Sequence, residues 1–342
     1  FLRPSRKNLS IEQNRYMATH DVDILIIGAG PAGLYGSYYA GFRGMSVALM
    51  DSLEEPGGQI TAMYPEKAIF DVGGFSSIKG RDLINNLLTQ AKPSNPKFLL
   101  NQTATTLKQN ADKSLTITSE KETVNAKAVI ITGGIGRFTP RPLPAADGWG
   151  GKGLVHFVPK MSDHAGKDVV IVGGGDSAFD WANELHPIAK SVTLIHRRDK
   201  FRAHQGTVDQ VKALGIELIT EAEVTKVSGS SHIEKIEYMN SKTKETKELN
   251  CQTLVAALGF TANIGPLAEW GLNIESRKIV VDSGMHTNIE RLFAAGDIST
   301  YPGKVALISV GFGEAATAVN NATVAINPEA HLFPGHSSGS VE

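Results

Sequence analysis

Ile24-Leu25-Ile26-Ile27-Gly28-Ala29-Gly30-Pro31-Ala32-Gly33 is the stretch on which the fold turns. A short apolar run ends in a GxGxxG turn. A helical stretch follows over residues 34–43, and then a second apolar run over 46–50 that ends in Asp51. Strand, glycine turn, helix, strand and acid together make a dinucleotide-binding βαβ unit. Gly28 permits the tight turn. Gly30 has no Cβ, so backbone can approach a pyrophosphate, and Gly33 lets helix and strand pack closely. The helix start, with Ala32 inside it, presents unpaired N–H groups and a partial positive charge to phosphate. Asp51 can accept hydrogen bonds from ribose hydroxyls.

The same pattern recurs. Asp168-Val169-Val170-Ile171-Val172 runs into Gly173-Gly174-Gly175-Asp176-Ser177-Ala178, a GxGxxA through Gly173, Gly175 and Ala178. A helix is expected over 179–189 and a strand over 191–195. Gly173 follows Gly28 by 145 positions (173 − 28), so a whole supersecondary unit is duplicated and two nucleotide sites are implied. The acid that should close the second unit is missing. In its place stands His196-Arg197-Arg198-Asp199-Lys200-Phe201-Arg202. An acid selects a free 2′-hydroxyl, whereas cations pair with a 2′-phosphate, Arg bidentately. His196, Arg197, Arg198 and Arg202 therefore point to NADPH at the second site.

Composition narrows the class. A chain of 342 residues has room for two cores, and a net charge of −1 favours neither nucleic acid nor a membrane surface. Cys251 is the single cysteine, so neither a disulfide framework nor a CxxC centre exists. His156 and His164 have no partner at metal-ligand spacing, and no metal site is expected. No apolar run is long enough to span a membrane, and no secretory pattern is visible, which favours the cytoplasm. Residues 1–16 are polar and basic and read as a disordered extension, with Met17 in the place of a translation start. Further along, Gly57-Gly58-Gln59 is a loop, 78–91 helical, and 97–125 a set of short strands closing in a hairpin. Residues 128–132 form a buried strand, and 137–153, rich in Pro and Gly, a linker. A helix is expected over 205–214. Leu292-Phe293-Ala294-Ala295-Gly296-Asp297-Ile298 is a strand running into Gly-Asp, ahead of a helix over 305–325.

The order GAGPAG, acid, GGQ, TGG, GGGDSA, HRR, LGF, AAGD resembles the two-dinucleotide-binding flavoprotein superfamily in the short form of bacterial thioredoxin reductase, over roughly residues 20 to 338. The resemblance implies an α/β fold of two Rossmann-like domains. An FAD-binding domain of 17–137 and 261–342 would be interrupted by an NADPH-binding domain of 138–260. Thioredoxin reductases carry a CxxC ahead of the second glycine turn. The matching place here, Val155-His156-Phe157-Val158-Pro159-Lys160, has no cysteine, which removes that enzyme's disulfide chemistry.

Within the superfamily the chain resembles the thioredoxin-reductase-like ferredoxin–NADP⁺ reductases. The resemblance is carried by Gly57-Gly58-Gln59-Ile60-Thr61-Ala62-Met63-Tyr64-Pro65-Glu66-Lys67, by Ile135-Gly136-Arg137-Phe138-Thr139-Pro140-Arg141, and by the tail Leu332-Phe333-Pro334-Gly335-His336-Ser337. The family usually has another residue where Arg137 stands. The resemblance implies a homodimer in which Tyr64 stacks on one face of the flavin and His336 of the partner subunit covers the other. Gly58, Gln59, Ala104, Phe138, Asp297 and Ser337 or Ser338 match positions that line FAD. It implies hydride transfer to flavin N5, then one-electron steps to ferredoxin or flavodoxin. Asp297 would hold ribitol or pyrophosphate, a helix starting near Lys304–Val305 would aim its positive end at the flavin, and the tail would act as a gate. Two rivals use the same cofactors: an NAD(P)H oxidase or small-acceptor reductase, and a non-enzymatic flavin redox sensor.

Overall fold

The computed structural model describes residues 17–336; the extension read at residues 1–16, and Ser337 and Ser338, lie outside the described residues. The chain divides into two compact units. The first takes the residues up to Ala62, then Ala68–Arg137, then Asn263 onward; the second takes Met63–Lys67 and Phe138–Ala262. The placement of Met63–Lys67 with the second unit is a feature that the sequence reading does not contain.

The first unit opens with β1 (Ala18–Ile27), the glycine turn, α1 (Pro31–Phe42) and β2 (Val47–Met50). It continues through α2 (Gly80–Ala91), β3 (Lys97–Leu99), the hairpin β4 (Thr106–Gln109) and β5 (Leu115–Thr118), and β6 (Glu122–Ile131). The sheet runs β3-β2-β1-β6-β5-β4, with β1 parallel to both β2 and β6. Ile24, Leu25 and Ile26 have no exposed surface. A parallel strand covered on both faces reads as a continuous apolar run, which is why β1 does not alternate.

The chain passes to the second unit along β7 (Arg137–Pro140). There it forms β8 (Leu154–Val155), β9 (Asp168–Val172), α3 (Asp176–Leu185), β10 (Ser191–Ile195), α4 (Gln205–Ala213) and β11 (Glu217–Ile219). A three-stranded antiparallel sheet follows, β12 (Ala222–Gly229), β13 (Ile233–Asn240) and β14 (Thr246–Asn250), and then β15 (Thr253–Ala256). The parallel sheet runs β8-β15-β9-β10-β11. Successive residues of β9 point to opposite faces. Val169 and Ile171 pack with Phe179, Ala182 and Leu185 of α3; Val170 and Val172 pack with Val224, Ile236 and Leu254 on the other face. Phe179 is wholly buried, and truncating it to Ala would cost about 3–5 kcal/mol. The helix expected over 179–189 begins at Asp176 and ends at Leu185, because Gly175 caps it and Pro187 halts it.

β16 (Phe260–Asn263), paired with β7, returns the chain to the first unit. There β17 (Leu292–Ala294) pairs in parallel with Val129, Ile130 and Ile131 of β6, and α5 (Ile308–Ile326) follows. One edge of β6 thus carries β1 along its whole length. The other edge carries β5 first and β17 last.

Candidate nucleotide sites

The first glycine turn is built on contacts that admit no side chain. Gly28 has φ +112°, and a Cβ there would lie 2.7 Å from the Thr132 carbonyl carbon. A Cβ on Gly33 would lie 1.9 Å from the Gly28 oxygen. Thr132 Oγ1 donates to that oxygen at 2.8 Å, so the residue just past β6 fastens the turn. Gly30 caps α1 with no side-chain hydrogen bond, Pro31 follows it, and the first turn holds no acid. The N–H groups at this helix start are left without a side-chain acceptor, which is the arrangement an anion needs.

Asp51 is 9 % exposed. Its carboxylate accepts the Ala29 N–H at 2.6 Å and the Leu53 N–H at 2.9 Å. Burial pushes its carboxyl above the usual range against those hydrogen bonds. The second glycine loop faces the first. Gly57 N–H donates to the Ala29 carbonyl at 2.8 Å, and a Cβ on Gly58 would lie 3.1 Å from the Gly30 Cα. Gln59 borders Gly134, where a Cβ would lie 2.9 Å from its amide nitrogen. Ala104 is buried two residues beyond Gln102, whose N–H donates to the Asp51 carbonyl at 2.8 Å. Asp297 stands half-buried in a turn after β17. That turn meets α1, since a Cβ on Gly296 would lie 3.3 Å from the Ala32 Cβ. Gly28, Gly30, Ala32, Gly33, Asp51, Gly58, Gln59 and Asp297 are therefore one neighbourhood, cradled by bare backbone of the kind a dinucleotide fills.

Around it are residues that the motifs missed. The helix expected from 305 starts at Ile308. Lys304, read as its beginning, instead donates to the Gly296 carbonyl at 3.0 Å and forms a buried ion pair with Glu314. Tyr301 O–H donates to Glu314 at 2.6 Å, and this pushes the Tyr301 hydroxyl up to about 12. Glu314 is an isolated charge in a helix of small apolar residues, the signal by which the sequence could have marked it. Arg43 gave no such signal. Its guanidinium donates to Asn320 Oδ1 at 2.6 Å and to the carbonyls of His331 and Leu332 at 2.8 and 3.0 Å. His336, exposed, sits edge-on to Phe333 at 5.2 Å.

The second turn repeats the logic. A Cβ on Gly173 would lie 2.9 Å from Ala178, and Gly175 caps α3 without a side-chain bond. Asp176 and Ser177 are exposed at the helix start, and Asp176 Oδ1 accepts the His204 N–H at 2.8 Å. Arg197, Arg198 and Arg202 are exposed, and the Arg202 N–H donates to the Gly174 carbonyl at 2.7 Å. His196 differs from them. It is 9 % exposed, its Nε2 lies 3.2 Å from the Lys200 carbonyl, and a Cβ on Gly174 would strike its ring. Burial lowers its pKa below the ordinary imidazole value.

Tyr64 and Phe138 also lie in the second unit. Tyr64 packs on the core cluster beneath α3, Glu66 accepts the Met161 N–H at 2.6 Å, and Lys67 pairs with Asp180 of α3. Phe138 meets Phe157 edge-on at 6.1 Å and Phe260 at 6.2 Å. Cys251 is buried, and burial pushes its thiol up to about 12, so it is inert. Among the described residues no cluster of His, Cys, Asp and Glu could hold a metal ion, and no helix is long and apolar enough to cross a membrane.

Comparison with known proteins gives the geometry its relatives. Residues 22–325 match the model of the pyridine nucleotide-disulphide oxidoreductase family. The chain is 60% identical to the ferredoxin–NADP reductase of Nocardioides sp. over 322 residues, covering 93% of this chain and 97% of that one. It is 58% identical to that of Saccharopolyspora erythraea, covering 93% and 97%. Among solved structures it is similar to T. acidophilum thioredoxin reductase, with a TM-score of 0.75 at 28% identity, covering 89% of this chain and 98% of that one.

Proposed function

This chain belongs to the pyridine nucleotide-disulphide oxidoreductase family, among its ferredoxin–NADP reductases, and from that premise we propose how its two units share the reaction NADPH + 2 oxidised ferredoxin ⇌ NADP⁺ + H⁺ + 2 reduced ferredoxin. One observation carries the reading: two glycine-turn units share a chain whose single cysteine is buried. Electrons taken from NADPH have no dithiol exit, which suits a one-electron acceptor.

FAD, when bound, supplies the conversion between a two-electron hydride and single electrons. The chain's residues bind and orient. The open N–H groups at the start of α1 hold the FAD pyrophosphate, Asp51 takes a ribose hydroxyl, and Asp297 takes hydroxyls further along the cofactor. Gly58 and Gln59 wall the same site, with Ala104, Phe138 and Ser337 or Ser338 as further lining residues. In the second unit Gly173, Gly175, Asp176, Ser177 and Ala178 hold the NADPH pyrophosphate, and Arg197, Arg198 and Arg202 the 2′-phosphate. Tyr64 and His336 flank the flavin ring, His336 from a second copy in a homodimer. Flavodoxin serves as an alternative acceptor, and the enzyme works in the cytoplasm.

The test is NADPH-dependent cytochrome c reduction with and without a bacterial-type ferredoxin, beside NADPH consumption in air. Strong ferredoxin dependence with little oxygen consumption is the expected result. Rapid consumption indifferent to ferredoxin would make the protein an oxidase, and slow rates in both a sensor.

A further inference from the structure

Both backbone groups of Gly296 are held by one ion pair. Its N–H donates to Glu314 Oε2 at 2.7 Å, and its carbonyl accepts from Lys304 Nζ at 3.0 Å. The Lys304 and Glu314 side chains are each 5% exposed. Ser299 Oγ donates to the same carbonyl at 2.8 Å, and Tyr301 O–H steadies Glu314. The residue that follows is Asp297. Gly311 of α5 closes the other side, where a Cβ would lie 3.4 Å from the Gly296 Cα.

Stability is a poor reason for such a pair. Desolvating two charges costs more than packing apolar groups of the same size, and a cation just ahead of a helix N-terminus opposes the helix dipole. What the pair supplies is direction: a single peptide fixed at both ends against the first turn of α1.

We propose that Lys304 and Glu314 are positioning residues for FAD, locking the Gly296 peptide so that Asp297 meets the cofactor at a set place relative to the α1 turn. This rests on the reading that the first unit holds FAD. The test compares Glu314→Gln, Lys304→Met, their double variant and Ser299→Ala. It reads the thermal midpoint of the apoprotein, the Kd for FAD and the flavin absorption band. Glu314→Gln alone strands a buried cation and lowers the midpoint. The double variant is neutral and regains most of the midpoint, yet its Kd for FAD stays about ten-fold above the parent's, with a shifted flavin band. Ser299→Ala keeps both charges but removes the hydroxyl that donates to the Gly296 carbonyl and lies 3.4 Å from Glu314 and Lys304; it raises the Kd about three-fold with a small fall in midpoint. A double variant that regains midpoint and FAD affinity together would show the pair to be structural only, and so would a Ser299→Ala variant with parental affinity. A parent chain that takes up no FAD would overturn the cofactor assignment itself, and it is seen before any variant is made.

Discussion

Asp51 accepts the Ala29 N–H at 2.6 Å, so the acid that closes the first βαβ unit is tied to the turn that opens it. Its carboxyl is raised by burial, so the folded state resists its ionisation. For an acid with a raised folded pKa, stability falls as pH rises from the unfolded value of 3.8 through the folded one, and is level above it. Asp51→Asn keeps an acceptor for Ala29, loses the one for the Leu53 N–H and removes the charge. Its stability relative to the parent in urea unfolding should rise across that window from a starting deficit set by the lost Leu53 bond, while its FAD affinity drops about ten-fold, as a lost hydrogen bond to a charged group implies. FAD affinity equal to the parent's would show that the carboxylate serves the turn alone.

Arg197, Arg198 and Arg202 are exposed, whereas His196 is buried and its pKa lowered. Replacing any of the three by Ala should raise the KM for NADPH about ten-fold and leave that for NADH alone. His196→Ala should cost stability and spare the preference between the two coenzymes. A parent enzyme that uses NADH and NADPH equally would contradict the assignment.

His164 and His196 both have pKa values lowered by burial. A base with a lowered folded pKa binds fewer protons folded than unfolded, so stability is lost as pH falls from about 6.5 toward the folded value. The second unit should therefore weaken in mild acid. His164→Gln and His196→Gln should each flatten that slope in chemical unfolding; a slope unchanged in both would assign the loss to other groups.

Arg43 binds the root of the tail through the carbonyls of His331 and Leu332. Deleting residues 331–342 should change the rate of flavin reduction by NADPH while FAD stays bound. Arg43→Ala should move that rate in the same direction, by stopped-flow absorbance. A rate unaltered by the deletion would remove the tail from the gating of the reaction.

The glycine turns were legible because each rests on local chemistry: Gly28 on a backbone angle, Gly33 on contact with Gly28, Ala178 on contact with Gly173. The Arg43 clamp was not, since it joins residues separated by 288 and 289 positions with no motif around either end. α5 starts at Ile308, three residues after the position its sequence pattern predicts. Its small-residue run has no side-chain cap, and Ser309 donates instead to the distant Asp71 carbonyl at 3.1 Å. His196 counted as one cation among several in sequence. Its burial follows from Phe201 and from the space at Gly174, which only the folded loop reveals.

The shared edge of β6 also bears on how the chain is made. Val129, Ile130 and Ile131 receive their outer neighbour from residues 292–294, which leave the ribosome only after the whole second unit has been synthesised. Until then a hydrophobic parallel strand waits with unpaired N–H and carbonyl groups. The first unit is thus the last to finish although it is the first begun, and its nascent sheet is where early termination or a chaperone shortage would show as aggregation.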